Sequence, residues 1–469
     1  MAYYIGIDLG TSSVKAALAS ASGEIMDSCG CTYETLTDAT GRSEIDPEAW
    51  FDGVMHCLRL LTREVKDIRA IGVTGQMHSL VLLGRDGKAL RPAMLWNDLR
   101  TAVQVQKLRS VARAHGLDAI ADIVSTGSPA SNLLYIRETE PDTFRQLHKF
   151  LIGHNYITYR LTGHIGADYC EASTSSLYDI ENRRWATVLL AHIGVDESAL
   201  PEILPACHQA GTLRGDICSE LGLIMPPAVT EGTGDNIASV LALRTPCLSL
   251  GTSGVFIDHR DSFRKDKKGK NILFSMTGEE PSVVVQGVVQ SMGSAMEWLK
   301  TILSADSVKE LLENLPERID PGLLFFPHLN GDKTLYRDST LRGAFFGLSL
   351  ATQKEDLATA ATEGLCFALR QMMEQVSDGG TDTITVTGGL TKSCRFMQML
   401  ADVLECKLAV SEDNPGAVFG AVRMAMQMAG EKLLPRAPAV KTYIPSRRLD
   451  SYYREKYEKY TKICENLPR

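Results

Sequence analysis

Several signatures are missing from this 469-residue chain, and each absence removes a class of function. No G-x-x-x-x-G-K-[ST] occurs, which excludes a P-loop phosphate site, and no G-x-G-x-x-G follows a strand-like run, which excludes the dinucleotide fingerprint. H-E-x-x-H and G-x-S-x-G are both absent, leaving no signature of a zinc protease or a hydrolase nucleophile elbow. No apolar run is long enough to span a bilayer, so no membrane partner is expected. Met1-Ala2-Tyr3-Tyr4-Ile5 leads straight into a strand without a basic segment or cleavage site, so no signal peptide is expected. Basic residues are outnumbered: the net charge of -8 argues against non-specific nucleic-acid binding. The one basic cluster, Arg264 to Lys270, reads as a solvated loop. The 11 cysteines form no paired framework, and Cys29-Gly30-Cys31 has no second pair to complete a zinc site. Free thiols in a reducing cytoplasm are the expectation.

What is present is an ordinary globular composition, 44% apolar and 23% charged, with length for two or three full cores. Three strands open the chain: Tyr3 to Asp8, Val14 to Ala19 and Glu24 to Glu34. A helix follows Asp46-Pro47, with the acid as N-cap and the proline at the first helical position. A buried strand, Ile68 to Val73, ends at Thr74-Gly75. The second half repeats this plan. Cys247 to Ser249, Val255 to Asp258, Ser282 to Gln290 and Thr383 to Val386 read as strands, and Met292 to Ile302 and Lys354 to Val376 as helices. Further helices are expected near Ser393 and after Pro415-Gly416, and Ser451 to Lys462 reads as a terminal surface helix. The junction is expected between Leu241 and Pro246, dividing the chain into 1–243 and 244–469.

Leu-Gly-Thr-Ser occurs twice, at Leu9-Gly10-Thr11-Ser12-Ser13 and at Leu250-Gly251-Thr252-Ser253, about 240 residues apart. Each copy lies between two apolar runs, the pattern of a hairpin whose turn is glycine plus hydroxyl residues. Such a turn aims backbone N–H groups and hydroxyls one way and can hold a phosphate. Two of them imply two similar domains facing each other across one nucleotide. Asp8, at the end of the first strand and close to Lys15, is where a metal-bound water would find an anchor.

Three further clusters carry polar groups at strand ends, where α/β proteins place ligands. Gly75-Gln76-Met77-His78 offers an amide, a thioether and an imidazole. Leu95-Trp96-Asn97-Asp98, with Arg100, offers a flat apolar face and short polar arms, suited to a polyol. Gly232-Thr233-Gly234-Asp235-Asn236 holds a carboxylate on a tight turn, as phosphoryl transfer to an alcohol requires. Gly388-Gly389 and Gly416 sit where a nucleoside could lie against backbone.

Ile5 to Lys15, Ser249 to Gly254 and Gly232 to Asn236 together resemble the phosphate and catalytic motifs of the FGGY carbohydrate kinases, within the actin-like ATPase superfamily. The likeness runs from the first strand to about Ala429. It implies an α/β fold of two RNase H-like (actin-like ATPase) domains with a central cleft, the first binding sugar and the second nucleotide. It implies ATP and Mg2+ as cofactors, with Gly10, Thr11, Ser12, Ser13, Lys15, Gly251, Thr252, Ser253, Gly388, Gly389 and Gly416 around the nucleotide and Asp8 fixing the metal through water. Asp235 would be the base. Gln76, Met77, His78, Trp96, Asn97, Asp98, Arg100, Asp235 and Asn236 would bind the sugar. A cytoplasmic homodimer acting on a small-molecule sugar is the corresponding expectation.

Gly75 to His78 and Leu95 to Arg100 most resemble members acting on D-xylulose, as do Pro327 to Thr334 and Gln398 to Val403. Elsewhere the chain departs from those members, at Ser131-Asn132-Leu133-Leu134-Tyr135, Asn155-Tyr156, Gly331-Asp332-Lys333-Thr334-Leu335 and Gly388-Gly389-Leu390. Ribulose, a seven-carbon ketose, gluconate or erythritol therefore stand as alternative acceptors. A non-catalytic sensor and an actin-like filament are the readings from other classes.

Overall fold

The computed structural model describes residues 2–242, 246–313, 315–338, 340–380, 382–411, 416–431 and 440–465. In the first half, β1 (Tyr3–Leu9), β2 (Ser13–Ser20) and β3 (Ile25–Thr32) form an antiparallel meander. Asp46 caps α1 (Pro47–Leu61) by accepting from the Glu48 N–H at 3.0 Å, and Trp50, Val54, Cys57, Leu58 and Leu61 are buried on one face. β4 (Ile68–Gly75) returns parallel to β1, and apart from Arg69 its residues are buried, as in a strand covered on both faces. Next come α2 (Gly153–Thr162), α3 (Tyr169–Thr174), β5 (Gln209–Thr212), β6 (Ala228–Thr230), β7 (Thr233–Gly234) and α4 (Asp235–Ala242). The sheet order is β5-β6-β4-β1-β2-β3, with β7 paired to the end of β4.

The second half contains β8 (Cys247–Leu250), β9 (Gly254–Arg260), β10 (Lys270–Phe274), β11 (Ser282–Val289), α5 (Gly293–Leu303), α6 (Lys354–Val376), β12 (Thr383–Thr387), α7 (Cys394–Leu404), β13 (Lys407–Val410), α8 (Gly416–Met428), β14 (Lys441–Tyr443) and α9 (Asp450–Glu465). Its order is β10-β11-β9-β8-β12-β13-β14. In both sheets a hairpin and a third antiparallel strand lie on one side of the first strand, and two parallel strands lie on the other. This duplicated five-strand plan is what the repeated turn led us to expect. The expected junction, 243/244, lies outside the described residues.

The halves are not separate globules. α8 packs on β1 and β4 of the first sheet and on α4. Small residues make this approach possible: a Cβ on Gly6 or Gly420 would overlap the carbonyl oxygen of Val418 or Ala238. Beneath the cleft, Met77, Cys170 and Ile237 share one apolar cluster with Cys247, Ile272 and Ala417. A small five-stranded sheet, Leu36–Thr37, Ser43–Ile45, Ala93–Met94, Leu80–Leu83 and Lys149–Ile152, grows out of the first half and supports the Trp96 loop.

Two expectations change. The terminal helix α9 is docked, with Tyr452, Tyr453, Tyr457 and Tyr460 buried and Tyr460 stacked on Phe326 at 4.8 Å between ring centroids. Apart from the buried Lys456, its charged residues border that aromatic face. Lys270, read from sequence as the end of a solvated basic loop, instead begins β10 and is half-buried, because β10 packs on α3.

Candidate active site between two glycine turns

Leu9 and Val14 close the first hairpin, and the Gly10 N–H donates to the Ser13 carbonyl at 2.9 Å. The Gly10 carbonyl accepts from the Tyr33 hydroxyl and from Gln76 Nε2, the latter at 3.2 Å. Ser12 stays exposed and Thr11 partly so. The second hairpin repeats the pattern, with Leu250 opposite Gly254 and the Gly251 N–H donating to the Ser253 carbonyl at 3.1 Å. Here α5 braces the turn: the Gly293 N–H donates to the Gly251 carbonyl at 2.9 Å, and the Ser294 N–H and hydroxyl both donate to that of Thr252. Gly251 and Thr252 are exposed. Both turns therefore present backbone to solvent on a fixed hairpin.

Asp8 sits opposite Lys15 across the first hairpin. Burial and the nearby Asp235 carboxylate push Asp8 up to about 7, while Lys15 opposes the shift. Asp235 opens α4, and its Oδ1 accepts from the Asn236 N–H at 2.7 Å. Burial raises Asp235 to about 6, against the stabilising Asn236 N–H and the charge of Lys270. A carboxylate with that affinity is ionised at neutral pH yet basic enough to accept a proton.

Gln76, Met77 and His78 leave the end of β4 beside Asp235. A line of hydrogen bonds runs from the Trp96 N–H to Ser79 Oγ (3.3 Å), from Ser79 Oγ to Gln76 Oε1 (3.1 Å), and from Gln76 Nε2 to the Gly10 carbonyl. Gln76 thus spends most of its capacity bracing the first turn and keeps one amide hydrogen for a ligand. Met77 is buried, with its sulfur 3.8 Å from Asn236 Nδ2. His78 has φ 72°, a left-handed conformation that costs a non-glycine residue about 1–3 kcal/mol and persists only where surroundings impose it. Its N–H faces Glu171 Oε2 at 3.4 Å, and its Nε2 lies 2.8 Å from Lys270 Nζ. Since the ammonium can only donate, Nε2 must carry the lone pair and the ring is neutral. Burial and Lys270 accordingly hold its basicity well below that of an ordinary histidine.

The third cluster divides. Trp96 is 47% exposed and its indole Nε1 donates to Thr11 Oγ1 at 3.0 Å, bringing the loop to the first turn. Asn97 is exposed and accepts from Ser43 Oγ at 2.8 Å. Asp98 is fully buried, accepting from the Ser43 N–H and from Arg100, and Arg100 also pairs with Glu44. Asp98 and Arg100 are therefore committed to the frame of the loop. On the nucleotide side, Gly388 has φ 104° and its Cβ would overlap the Leu250 carbonyl, whereas Cβ atoms on Gly389 or Gly416 would meet nothing within 4 Å. Gly388 serves a turn, while Gly389 and Gly416 present open backbone.

Sequence reasoning missed the buried layer behind these groups. Asp168 accepts from Thr233 Oγ1 at 2.6 Å and caps α3, and burial raises it to about 6. Burial drives Glu171 well above the carboxylate range; its Oε1 makes no hydrogen bond, and His154 Nδ1 is 3.6 Å away. Glu231 takes a hydrogen bond from Asn155 Nδ2 at 3.1 Å and is raised by burial to about 8. Isolated acids among small residues gave no sign that these positions share one buried place.

The fit to a nucleotide and a cation can be judged from these groups. Among the described residues no three His, Cys, Asp or Glu side chains assemble a metal cage. A single carboxylate at Asp8 suits Mg2+, which keeps waters and phosphate oxygens as most of its ligands. Two exposed glycine turns and the open backbone of Gly389 and Gly416 suit a polyphosphate and its nucleoside. No helix among the described residues is long and apolar enough to cross a membrane.

Comparison with known proteins gives the same direction. The family models described as "FGGY family of carbohydrate kinases", N-terminal and C-terminal domains, match residues 3–242 and 247–429. A xylulose kinase of Bacillus subtilis (strain 168) is 32% identical over 440 residues, 91% of this chain and 88% of its own length. That of Escherichia coli (strain K12) is 30% identical and covers 99% of both chains. Among solved structures, a xyloylose kinase from Brucella ovis superposes with a TM-score of 0.90 at 30% identity, covering 99% of each chain.

Proposed function

The chain belongs to the FGGY family of carbohydrate kinases, with their two-domain actin-like ATPase fold, and on that premise we propose that it transfers the γ-phosphoryl group of ATP to a primary hydroxyl of a small ketose, D-xylulose at C5. The observation carrying this reading is Asp235: a half-buried, weakly acidic carboxylate at the start of α4, beside the Gln76-Met77-His78 strand end and within electrostatic reach of Asp8. The curated relatives named for xylulose supply the substrate.

In this mechanism Asp235 accepts the hydroxyl proton as the sugar oxygen attacks the γ-phosphorus, and ADP leaves with the bridging oxygen. The Asn236 N–H keeps the carboxylate oriented. Backbone N–H groups of Gly10 to Ser13 and Gly251 to Ser253 receive the phosphates, and Gly389 and Gly416 leave room for the nucleoside. Mg2+, held by Asp8 through water, would neutralise charge on the phosphate oxygens. Met77, His78, Trp96 and Asn236 grip the sugar, while Asp98 and Arg100 keep the Trp96 loop in place. A cytoplasmic homodimer belongs to the same proposal; all 11 cysteines being free is consistent with a reducing compartment.

The test is ADP release from purified protein over a panel of D-xylulose, D-ribulose, L-ribulose, sedoheptulose, gluconate, erythritol and glycerol. Activity should be greatest with D-xylulose and fall about 10²–10⁴-fold in Asp235→Asn. Greater activity with another acceptor keeps the mechanism and reassigns the sugar. Near-normal turnover in Asp235→Asn refutes the assigned base.

A further inference from the structure

We propose that Lys270, carried by the second half of the chain, is a positioning residue of the sugar pocket: its ammonium fixes the His78 ring and ties pocket assembly to the seating of the second sheet on α3. The proposal rests on the reading of Gln76 to His78, Asp235 and Asn236 as that pocket.

Four observations carry it. Lys270 Nζ reaches His78 Nε2 at 2.8 Å although the residues lie 192 positions apart and in different halves of the chain. The backbone aims it: Gly269 has φ 94° and turns the chain into β10 immediately before Lys270. β10 is the edge strand of the second sheet, and its Leu273 N–H donates to Ser173 Oγ on α3 at 2.9 Å, so the strand is fastened to the first half. Finally, α3 also carries Glu171, which meets the strained His78 backbone. His78 is held at its N–H from α3 and at its ring from β10.

The ammonium is also where charge is needed. Burial lowers the basicity of Lys270 while Glu171 and Asp235 oppose that shift, and its charge in turn opposes the upward shift of both carboxyl groups. One of its three N–H groups serves His78, leaving two for those carboxylates or a sugar hydroxyl. A solvated loop lysine would have none of these relationships. If the second sheet withdrew from α3, His78 would lose the partner that selects its neutral Nε2-acceptor form.

The experiment compares wild type, Lys270→Met and Lys270→Arg in kcat and in KM for D-xylulose and for MgATP, together with 15N-detected imidazole spectra in which His78→Gln assigns the His78 signal. We expect Lys270→Met to raise the D-xylulose KM about 10- to 100-fold, the value of one charge-assisted hydrogen bond. MgATP KM should stay unchanged, Lys270→Arg should recover much of the loss, and the His78 Nε2 resonance should move in Lys270→Met. An unchanged sugar KM overturns the proposal. A lowered one does so too, because Lys270 would then be obstructing the pocket. Parallel losses in both KM values and in melting temperature would reduce it to a structural residue. If wild type phosphorylates no sugar in the panel, the kinase reading fails separately. The spectra still decide the Lys270–His78 bond, and an unmoved Nε2 resonance overturns it.

Discussion

Gly72 of β4 and Ala421 of α8 meet backbone to backbone: a Cβ on Gly72 would overlap the Ala421 carbonyl oxygen. Helix α8 of the second half thereby rests directly on the central strands of the first. Backbone cannot yield as a flexible side-chain end does, so Gly72→Ala must push the helix away. The expected cost is about 1–3 kcal/mol, seen as a drop in melting temperature by calorimetry. A melt indistinguishable from wild type would mean that the helix seat is looser than this contact implies.

Gly389 is the counterpart, a glycine with open space where its side chain would be. Gly389→Ala should leave the melting temperature unchanged and raise the MgATP KM about tenfold, since an added methyl would meet only the nucleotide. Unchanged MgATP kinetics would remove Gly389 from the nucleotide surface.

Lys456 and Glu363 form a buried ion pair at 2.5 Å, with the Tyr452 hydroxyl donating to the other carboxylate oxygen at 2.9 Å. It fastens α9 to α6. Lys456→Met would strand a buried carboxylate and should cost about 3–5 kcal/mol, while Lys456→Met with Glu363→Leu should recover most of the loss. The comparison is a double-mutant cycle in denaturant. If the double variant is no more stable than the single one, packing and not charge secures the helix.

These residues also mark what could be read from the chain. The two turns, the Gln76 to His78 strand end and the Asp235 turn were legible because each is a local pattern at a strand boundary. Lys270 was not, because its burial comes from α3, a hundred residues earlier in the chain. Asp168, Glu171 and Glu231 were invisible for a related reason: a single acid in sequence does not announce that three helices and strands will enclose it. Asp98 and Arg100 were legible as a polar pair, but only the fold reveals Glu44 and Ser43 as their partners. Tyr452 to Tyr460 looked like a charged surface helix because alternating lysines and glutamates border the aromatic stripe.

Four carboxyl groups of raised affinity for protons make stability depend on pH. Asp168, Asp235, Asp8 and Glu231 are held in the fold at about 6, 6, 7 and 8, above the ordinary values of 3.8 for Asp and 4.5 for Glu. A raised carboxyl gives the fold its full benefit below the unfolded value and loses it as pH climbs through the folded one. Melting temperature should therefore fall from about pH 4 to about pH 8. Glu231→Gln should raise it at about pH 8.5 and leave it nearly unchanged at about pH 4, with each kcal/mol relieved appearing as about 2–4 °C. A uniform shift at both pH values would show that Glu231 acts through packing alone.

Trp96 joins the sugar loop to the first phosphate turn through its bond to Thr11, and roughly half of the indole remains open to a ligand. Trp50 is fully buried, Trp185 packs edge-on against Tyr178 and Trp298 stacks on Phe325, so of the four tryptophans Trp96, with its bond to the first turn, is best placed to report sugar entering the cleft. D-xylulose added without nucleotide should change the intrinsic fluorescence, and Trp96→Phe should abolish that change. The phenyl ring keeps an apolar face but cannot donate to Thr11, which at about 0.5–1.5 kcal/mol predicts a KM increase of up to about tenfold. A fluorescence change that survives in Trp96→Phe would place the sugar away from this loop. The bond to Thr11 would then serve only to steady the phosphate turn.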